Sequence, residues 1–261
     1  MMEGSHLLSS EWLVEVHCRG SWIVMKDRSV DYAFHVHTAR CGHASLDSEE
    51  SYIEYAIKND MHMITFTDHA PFPGDPFTGR MKMTELDEYI HTIQELREKY
   101  KKYIKIYSGF EVEYIPEYLS YCYELQKKVD FMILGQHHAK TTDDHYTYEK
   151  EIGKNKIYNS IFFAVIEGMK TGLFSVLAHP DRYFHSIDNW TEEDEQFKEQ
   201  IFLLVKEKHI KLEKNLSVYE KIGYNMNFWN DMPEGIQIIY GLDAHSLDDM
   251  KRRLNLCKIP Y

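Results

Sequence analysis

Residues 62–69 read HMITFTDH, a short β-branched and aromatic run that closes on an acid and an imidazole. Residues 62–67 have the composition of a β-strand, so Asp68 and His69 stand where that strand ends. The same arrangement recurs along the chain. His35 and His37 (FHVHT), His43 (CGHAS), His69 (FTDHAPF), Glu111 (GFEVEY), His137 (LGQHHA), His179 (VLAHPDR), and Asp243 with His245 (GLDAHS) all lie at or just after strand-like segments. Neutral imidazole and carboxylate bind zinc, manganese and iron at neutral pH. Nine such groups at successive strand ends predict one shared metal site, and a metal-dependent hydrolase.

Strand and helix patterns alternate. Residues 32–36, 62–67, 104–109, 131–135, 174–178, 209–213 and 236–241 read as strands. Helical spacing is read over 48–59, capped at Asp47, and over 84–102, starting at Thr84. Further helices are expected near 117–128, 155–170, 192–207, 217–226 and 246–255, the acidic run Glu192–Glu195 suiting a helix N-terminus. Seven strands separated by helices imply right-handed βα units and a parallel sheet. A closed or nearly closed barrel explains the candidate ligands better than an open sheet, because loops at the C-terminal ends of barrel strands converge. No repeat, low-complexity tract or Pro/Gly-rich linker divides the chain.

Composition is ordinary for a soluble globular protein. The chain has 261 residues, 43% hydrophobic and 28% charged, with a formal net charge of −12. Such a balance disfavours nucleic acid, whose binding needs Lys and Arg against phosphates, but leaves room for a small anionic substrate where bound metal reverses the local field. No run approaches the ~18 apolar residues of a membrane span, and residues 1–24 do not read as a secretory signal, so a cytoplasmic protein is expected. The four cysteines, Cys18, Cys41, Cys122 and Cys257, show no CxxC spacing and are read as reduced thiols. Cys41 precedes His43 by two, yet thiolate would be the odd ligand in a His/carboxylate set.

These motifs, in this order from Tyr32 to Ser246, resemble the PHP family, named for polymerase and histidinol phosphatase. GRMKMTELDEYI (79–90) and IKIYSGFEVEYIPEY (104–118) draw the chain toward its monofunctional histidinol-phosphate phosphatases. The resemblance implies a distorted seven-stranded (β/α) barrel with three divalent ions (zinc, manganese or iron) at the C-terminal ends of the strands. It implies His35, His37, Glu111 and Asp243 for the first metal. Glu111 would bridge to a second, completed by His137 and His179, and His43, His69 and His245 would hold the third. The expected reaction is hydrolysis of L-histidinol phosphate to L-histidinol and phosphate, in histidine biosynthesis. Another small phosphoester, or a non-catalytic metal-binding role, are the alternatives. Residues 1–24 match nothing in the family and are read as an extension, with Met25 an alternative start of a single domain over 25–261.

His35 and His37 alternate in a strand, which would put both on one face, and Asp243 and His245 share that spacing. Asp243 is the candidate proton donor to the leaving group. Arg182 is a candidate phosphate clamp, and His138, where many relatives carry an aromatic residue, a substrate-side group. Asp68 is read as the partner that orients an imidazole. His91, His62 and His209 receive structural or solvated roles, while His145 and His185 lie in loops that could reach the pocket. Lys214, between Glu213 and Asn215, departs from the apolar residue frequent in relatives.

Overall fold

Most of the strands are buried along most of their length and carry the Val/Ile/Phe content that such positions favour. The computed structural model describes residues 13–18, 21–26, 30–143, 145–149, 152–187 and 189–256. Most of the stretch 1–24 lies outside these. Within it and across residue 25, β1 (Leu13–Cys18) and β2 (Ser21–Lys26) pair antiparallel as a sheet of their own.

The main sheet runs in sequence order through β3 (Tyr32–Val36), β4 (Met63–His69), β5 (Lys105–Val112), β6 (Phe131–Leu134), β7 (Val176–Leu177), β8 (Lys211–Asn215) and β9 (Ile238–Gly241). Every neighbouring pair is parallel. Helices cross between strands: α1 (Glu49–Lys58), α2 (Leu86–Tyr100), α3 (Leu119–Gln126), α4 (Lys154–Lys170) and α5 (Glu192–Lys208). Then come α6 (Leu216–Ile222), α7 (Met226–Trp229) and α8 (Leu247–Leu256). The segment after β9 returns to β3: Leu242 N–H donates to Phe34 O (2.8 Å), Ala244 N–H to His35 O (3.1 Å), and His37 N–H to Ala244 O (2.9 Å). These bonds close the sheet into a seven-stranded barrel.

Two apolar layers follow from the alternation of strand side chains. Tyr32, Phe34, Met63, Phe131, Ile133, Val176, Ala178 and Ile239 fill the interior. Residues of opposite parity, among them Ala33, Ile64, Phe66, Phe110, Leu134, Leu177 and Leu212, pack outward against Tyr52, Tyr89, Phe162 and Ile201 of the helices. Beyond this interior plug, the C-terminal end of the barrel carries buried histidines and carboxylates.

Some boundaries differ from the sequence reading. The cap of α1 is Ser48, whose hydroxyl accepts from Ser51 N–H (3.3 Å), while the Asp47 carboxylate accepts from Leu247 N–H (2.8 Å) and ties the α1 entrance to α8. Thr84 lies in a 3-10 turn that precedes α2. The helix expected over 217–226 is split into α6 and α7, because Gly223 adopts φ 77° and cannot continue the α6 backbone. The acidic run opens α5, where Thr191 and Asp194 form a reciprocal capping box.

Two glycines make room for buried carboxylates. A Cβ at Gly135 would sit 2.0 Å from Glu111 Oε1, and one at Gly241 would sit 1.6 Å from Glu213 Oε1. Gly241→Ala therefore forces Glu213 or the backbone to move, and is expected to cost about 1–3 kcal/mol, the usual range for overpacking. Urea denaturation checks this: the midpoint falls with an unchanged slope.

Candidate metal centre

Glu111, near the end of β5, carries its carboxylate into a nest of imidazoles. Its Oε2 lies 3.1 Å from His35 Nε2, 3.5 Å from His37 Nε2 and 3.3 Å from His69 Nδ1. Its Oε1 lies 2.8 Å from His179 Nε2 and 3.6 Å from His137 Nε2. The two oxygens thus address two different groups of rings. Asp243 approaches from the β9 side, with Oδ1 3.5 Å from His37 Nε2 and 3.4 Å from His245 Nδ1. His43 completes the remaining side, its ring centroid 4.5 Å from that of His245 and 5.3 Å from that of His69. All nine expected residues meet at one end of the barrel.

How they get there differs from strand to strand. Glu111 and His69 share the parity of the interior residues of their strands, so simple alternation aims them inward. His35 and His37 do not. Tyr32 and Phe34 occupy the interior, and an unbroken β3 would send His35 and His37 outward beside Ala33. The register shifts between Ala33 and Val36, and His35 adopts φ 65°. This bulge inserts one residue and turns both histidines inside. The spacing argument found the right residues for an incomplete reason. His179 is a second case: it follows interior Ala178, and φ 33° folds it back toward Glu111.

Charge follows geometry. Burial alone would lower the basicity of His35, but Glu213 and Glu111 outweigh it and hold the imidazole well above its usual value. Burial raises Glu111, yet His69, His35 and His137 hold its carboxyl well below the carboxylate range. Asp243 behaves alike: burial is outweighed by the nearby His37, 3.5 Å away, and the charge of His35. Burial lowers His179 and takes His69 well below its usual value, and with His37 it pushes His245 down to about 3. Neutral rings are the form that binds metal.

Several buried ring nitrogens have no hydrogen-bond partner, including His37 Nε2, His69 Nδ1, His179 Nδ1 and His245 Nε2. Unsatisfied buried polar atoms are costly, and their collection around two ionised carboxylates suits divalent cations. Donor atoms within 4.8 Å of one another occur in the sets His35–His37–Asp243, Glu111–His137–His179, His69–Glu113–His137 and His37–Cys41–His69–His245. His43 belongs to none of these sets. Cys41, read from sequence as a plain thiol, is buried in the cluster with Sγ 3.5 Å from His37 Nδ1 and 3.6 Å from His43 Nδ1.

Three functional side chains were not singled out from sequence. Glu213 Oε1 lies 2.6 Å from His35 Nδ1, and its Oε2 accepts from His179 N–H (2.8 Å). Glu113 pairs with Arg80 through two bonds of 2.8 and 2.9 Å. A carboxylate at an inward position of a buried strand was the signal for Glu213, whereas Glu113 lies just past the end of β5. Asp68 does not orient an imidazole: it accepts from Thr38 N–H (2.6 Å) and Oγ–H (2.7 Å), fixing the turn that follows His37.

A cleft of about 790 Å³ opens over the cluster. Arg182 and His138 both line it. The His138 ring packs near Tyr148 and Phe77, leaving His137 as the ring that faces Glu111. Arg80, Arg252 and Arg253 on the rim are paired with Glu113, Glu220 and Asp249, whereas Arg182 makes no ion pair among the described residues. His91 faces Glu95, His62 faces Asp31, and His209 ends α5 in a left-handed turn. His145 pairs with Glu149 and His185 faces Asp181. Lys214 lies over Tyr224 and Trp229.

A PHP domain matches residues 33–217. The chain belongs to the PHP domain family. Within it, a histidinol-phosphatase of Bacillus subtilis (strain 168) is 40% identical over 90 residues, 32% of this chain and 34% of that protein. The match therefore spans about a third of that relative's length. A Listeria monocytogenes structure described as a histidinol phosphatase, HisK, superposes with a TM-score of 0.69 at 20% identity, covering 85% of this chain and 97% of its own. HisK of Lactococcus lactis subsp. lactis Il1403, solved with zinc, L-histidinol and phosphate, gives a TM-score of 0.61 at 16% identity over 89% and 95% of the two chains. At these identities the two structures establish a shared barrel. No helix among the described residues is long and apolar enough to cross a membrane.

Asp68→Ala leaves the Thr38 N–H and hydroxyl without their acceptor, at about 1–3 kcal/mol per buried group. Unfolding of the metal-free protein is expected to show that loss, and Asp68→Asn, which keeps one acceptor oxygen, a smaller one.

Proposed function

We propose that this protein is a metal-dependent phosphomonoesterase whose substrate is L-histidinol phosphate. The observation that carries the proposal is the division of Glu111: one oxygen faces His35 and His37, the other His137 and His179. A carboxylate so placed can bridge two ions, which an imidazole holding one metal cannot do. His35, His37, Glu111 and Asp243 would hold the first ion, Glu111, His137 and His179 the second, and His43, His69 and His245 the third. Zinc, manganese and iron all suit this donor set. Bound there, such ions activate water and offset the charge of a phosphoryl group.

The protein's own groups do the rest. Arg182, exposed beside His137 and His138, can take two phosphoryl oxygens in the planar fork of its guanidinium. Asp243 is an anion in this environment, so it can donate to the leaving alkoxide only a proton it has first accepted. The attacking water supplies one, and an Asp243 carboxylate oxygen can carry it across. His138 lines the cleft where the alcohol portion would rest. The Lactococcus protein of the same fold, described with L-histidinol and phosphate, names the substrate to try first.

Phosphate release from L-histidinol phosphate is the test, with protein reconstituted separately with zinc, manganese and iron. The expected kcat/KM is about 10⁴ M⁻¹s⁻¹ or higher with at least one metal, lost in Glu111→Gln and His179→Ala. Cleavage of an aryl phosphate alone would keep the chemistry and overturn the substrate. No cleavage of either would overturn both.

A further inference from the structure

Behind His137 stands a buried ion pair that the proposed reaction does not use. Glu113 follows Glu111 by two residues and, like it, is buried. Arg80, at the end of the loop between β4 and α2, grips both its oxygens, at 2.8 and 2.9 Å, and also donates to Ala70 O at 3.2 Å. The guanidinium carbon lies 5.4 Å from the Phe72 ring centroid and 5.0 Å from that of Phe77. Hydrogen bonds and aromatic faces together hold Arg80 in one place.

On its other side, Glu113 Oε1 lies 3.3 Å from His137 Nδ1, and His137 Nε2 lies 3.6 Å from Glu111 Oε1. We infer that Glu113, clamped by Arg80, is the positioning residue for His137: it holds the proton on Nδ1 and turns Nε2 toward the Glu111 side of the site. The inference rests on the metal-centre reading above. It adds a division of labour between the two walls of the site. Glu213 acts on His35 with no Lys or Arg on its own oxygens among the described residues, its other partners being His179 N–H and the Asn215 amide. Glu113 acts on His137 as a carboxylate already committed to Arg80.

That commitment has a second effect. Glu113, His69 and His137 have donor atoms close enough to share a cation. With both oxygens bonded to Arg80 and Oε1 also facing His137 Nδ1, the role inferred for the carboxylate is to orient a ligand. Outer carboxylates of this kind fix the tautomer and direction of a metal-binding imidazole, and their loss typically weakens metal binding 10–100-fold.

The experiment is a chelator-competition titration of zinc-loaded protein, with ions per chain counted by elemental analysis and folding followed by circular dichroism. Glu113→Leu is expected to weaken one ion by about 10–100-fold and leave the others at wild-type affinity. Glu113→Gln, which keeps an acceptor for Nδ1–H, is expected to recover most of that loss and serves as the folded reference if the leucine variant does not fold. Arg80→Met frees Glu113 and is expected to change the affinity of the same ion alone. Wild-type affinity for every ion in Glu113→Leu and Arg80→Met, or an equal loss at all ions, overturns the inference. If Glu113→Leu does not fold, wild-type affinity for every ion in Arg80→Met alone overturns it. A wild-type chain that takes up no ion overturns the metal-centre reading itself, and the inference falls with it.

Discussion

The buried carboxylate of Glu111 constrains everything around it. An ionised carboxyl removed from water is stable only when it is paired and hydrogen-bonded, and here five imidazoles surround it. Those rings cannot all be protonated so close together, and burial takes His69 and His179 downward while His35 alone is strongly raised. His69 and His179 are thereby favoured as neutral donors beside fixed negative charge. Gly135 exists in this frame to leave space for the carboxylate, as Gly241 does for Glu213. Neither glycine has a positive φ, so backbone conformation does not call for glycine at either position.

The barrel and the site are one construction. The bulge at His35 is the place where the sheet closes, since His35 O accepts from Ala244 N–H while His35 N–H donates to Thr65 Oγ1. Holding a non-glycine residue at positive φ costs roughly 1–3 kcal/mol, and His35, His179 and Asp243 all do so. Such strain persists only where surrounding contacts over-determine the conformation. Here the closing hydrogen bonds, the bond from His179 N–H to Glu213 and the contacts of Asp243 with His37 and Asn215 perform that service. These three strained residues are among those whose side chains converge.

That coupling also explains what could be read from the chain and what could not. Strand order, parallel pairing and the approximate ends of all seven barrel strands follow from alternating composition. His69 and Glu111 follow from period-two parity as well. His35, His37 and His179 do not, because a bulge and a single left-handed residue reverse the parity locally and leave no composition signal. Glu213 stood in plain view in KLEKN, a charged residue on the inner face of a strand buried at four of five positions; its partner, 178 residues away, was not visible. Arg80 and Glu113 were hidden for the same reason: an ion pair across 33 residues depends on where a loop lands. Asp68 was misassigned because adjacency to His69 says nothing about Thr38, 30 residues earlier.

Charge bears on the kind of ligand the site can take. Glu111, Glu113 and Glu213 are buried and Asp243 lies at the cleft floor, while the guanidinium tied to them, Arg80, offsets only Glu113. A phosphomonoester is itself an anion. Brought to this cluster as it stands, it would meet repulsion from carboxylates in a low-dielectric pocket, where like charges cost most. Neutral histidines do not cure that deficit, and the chain as a whole is acidic at −12. Divalent cations held by the imidazole–carboxylate sets would cure it, because they would reverse the sign of the local field while satisfying the orphaned ring nitrogens. On the proposed reading, Arg182 at the rim would act on a substrate already attracted to the floor, so its contribution would be to orient the phosphoryl group and not to overcome the charge of the site.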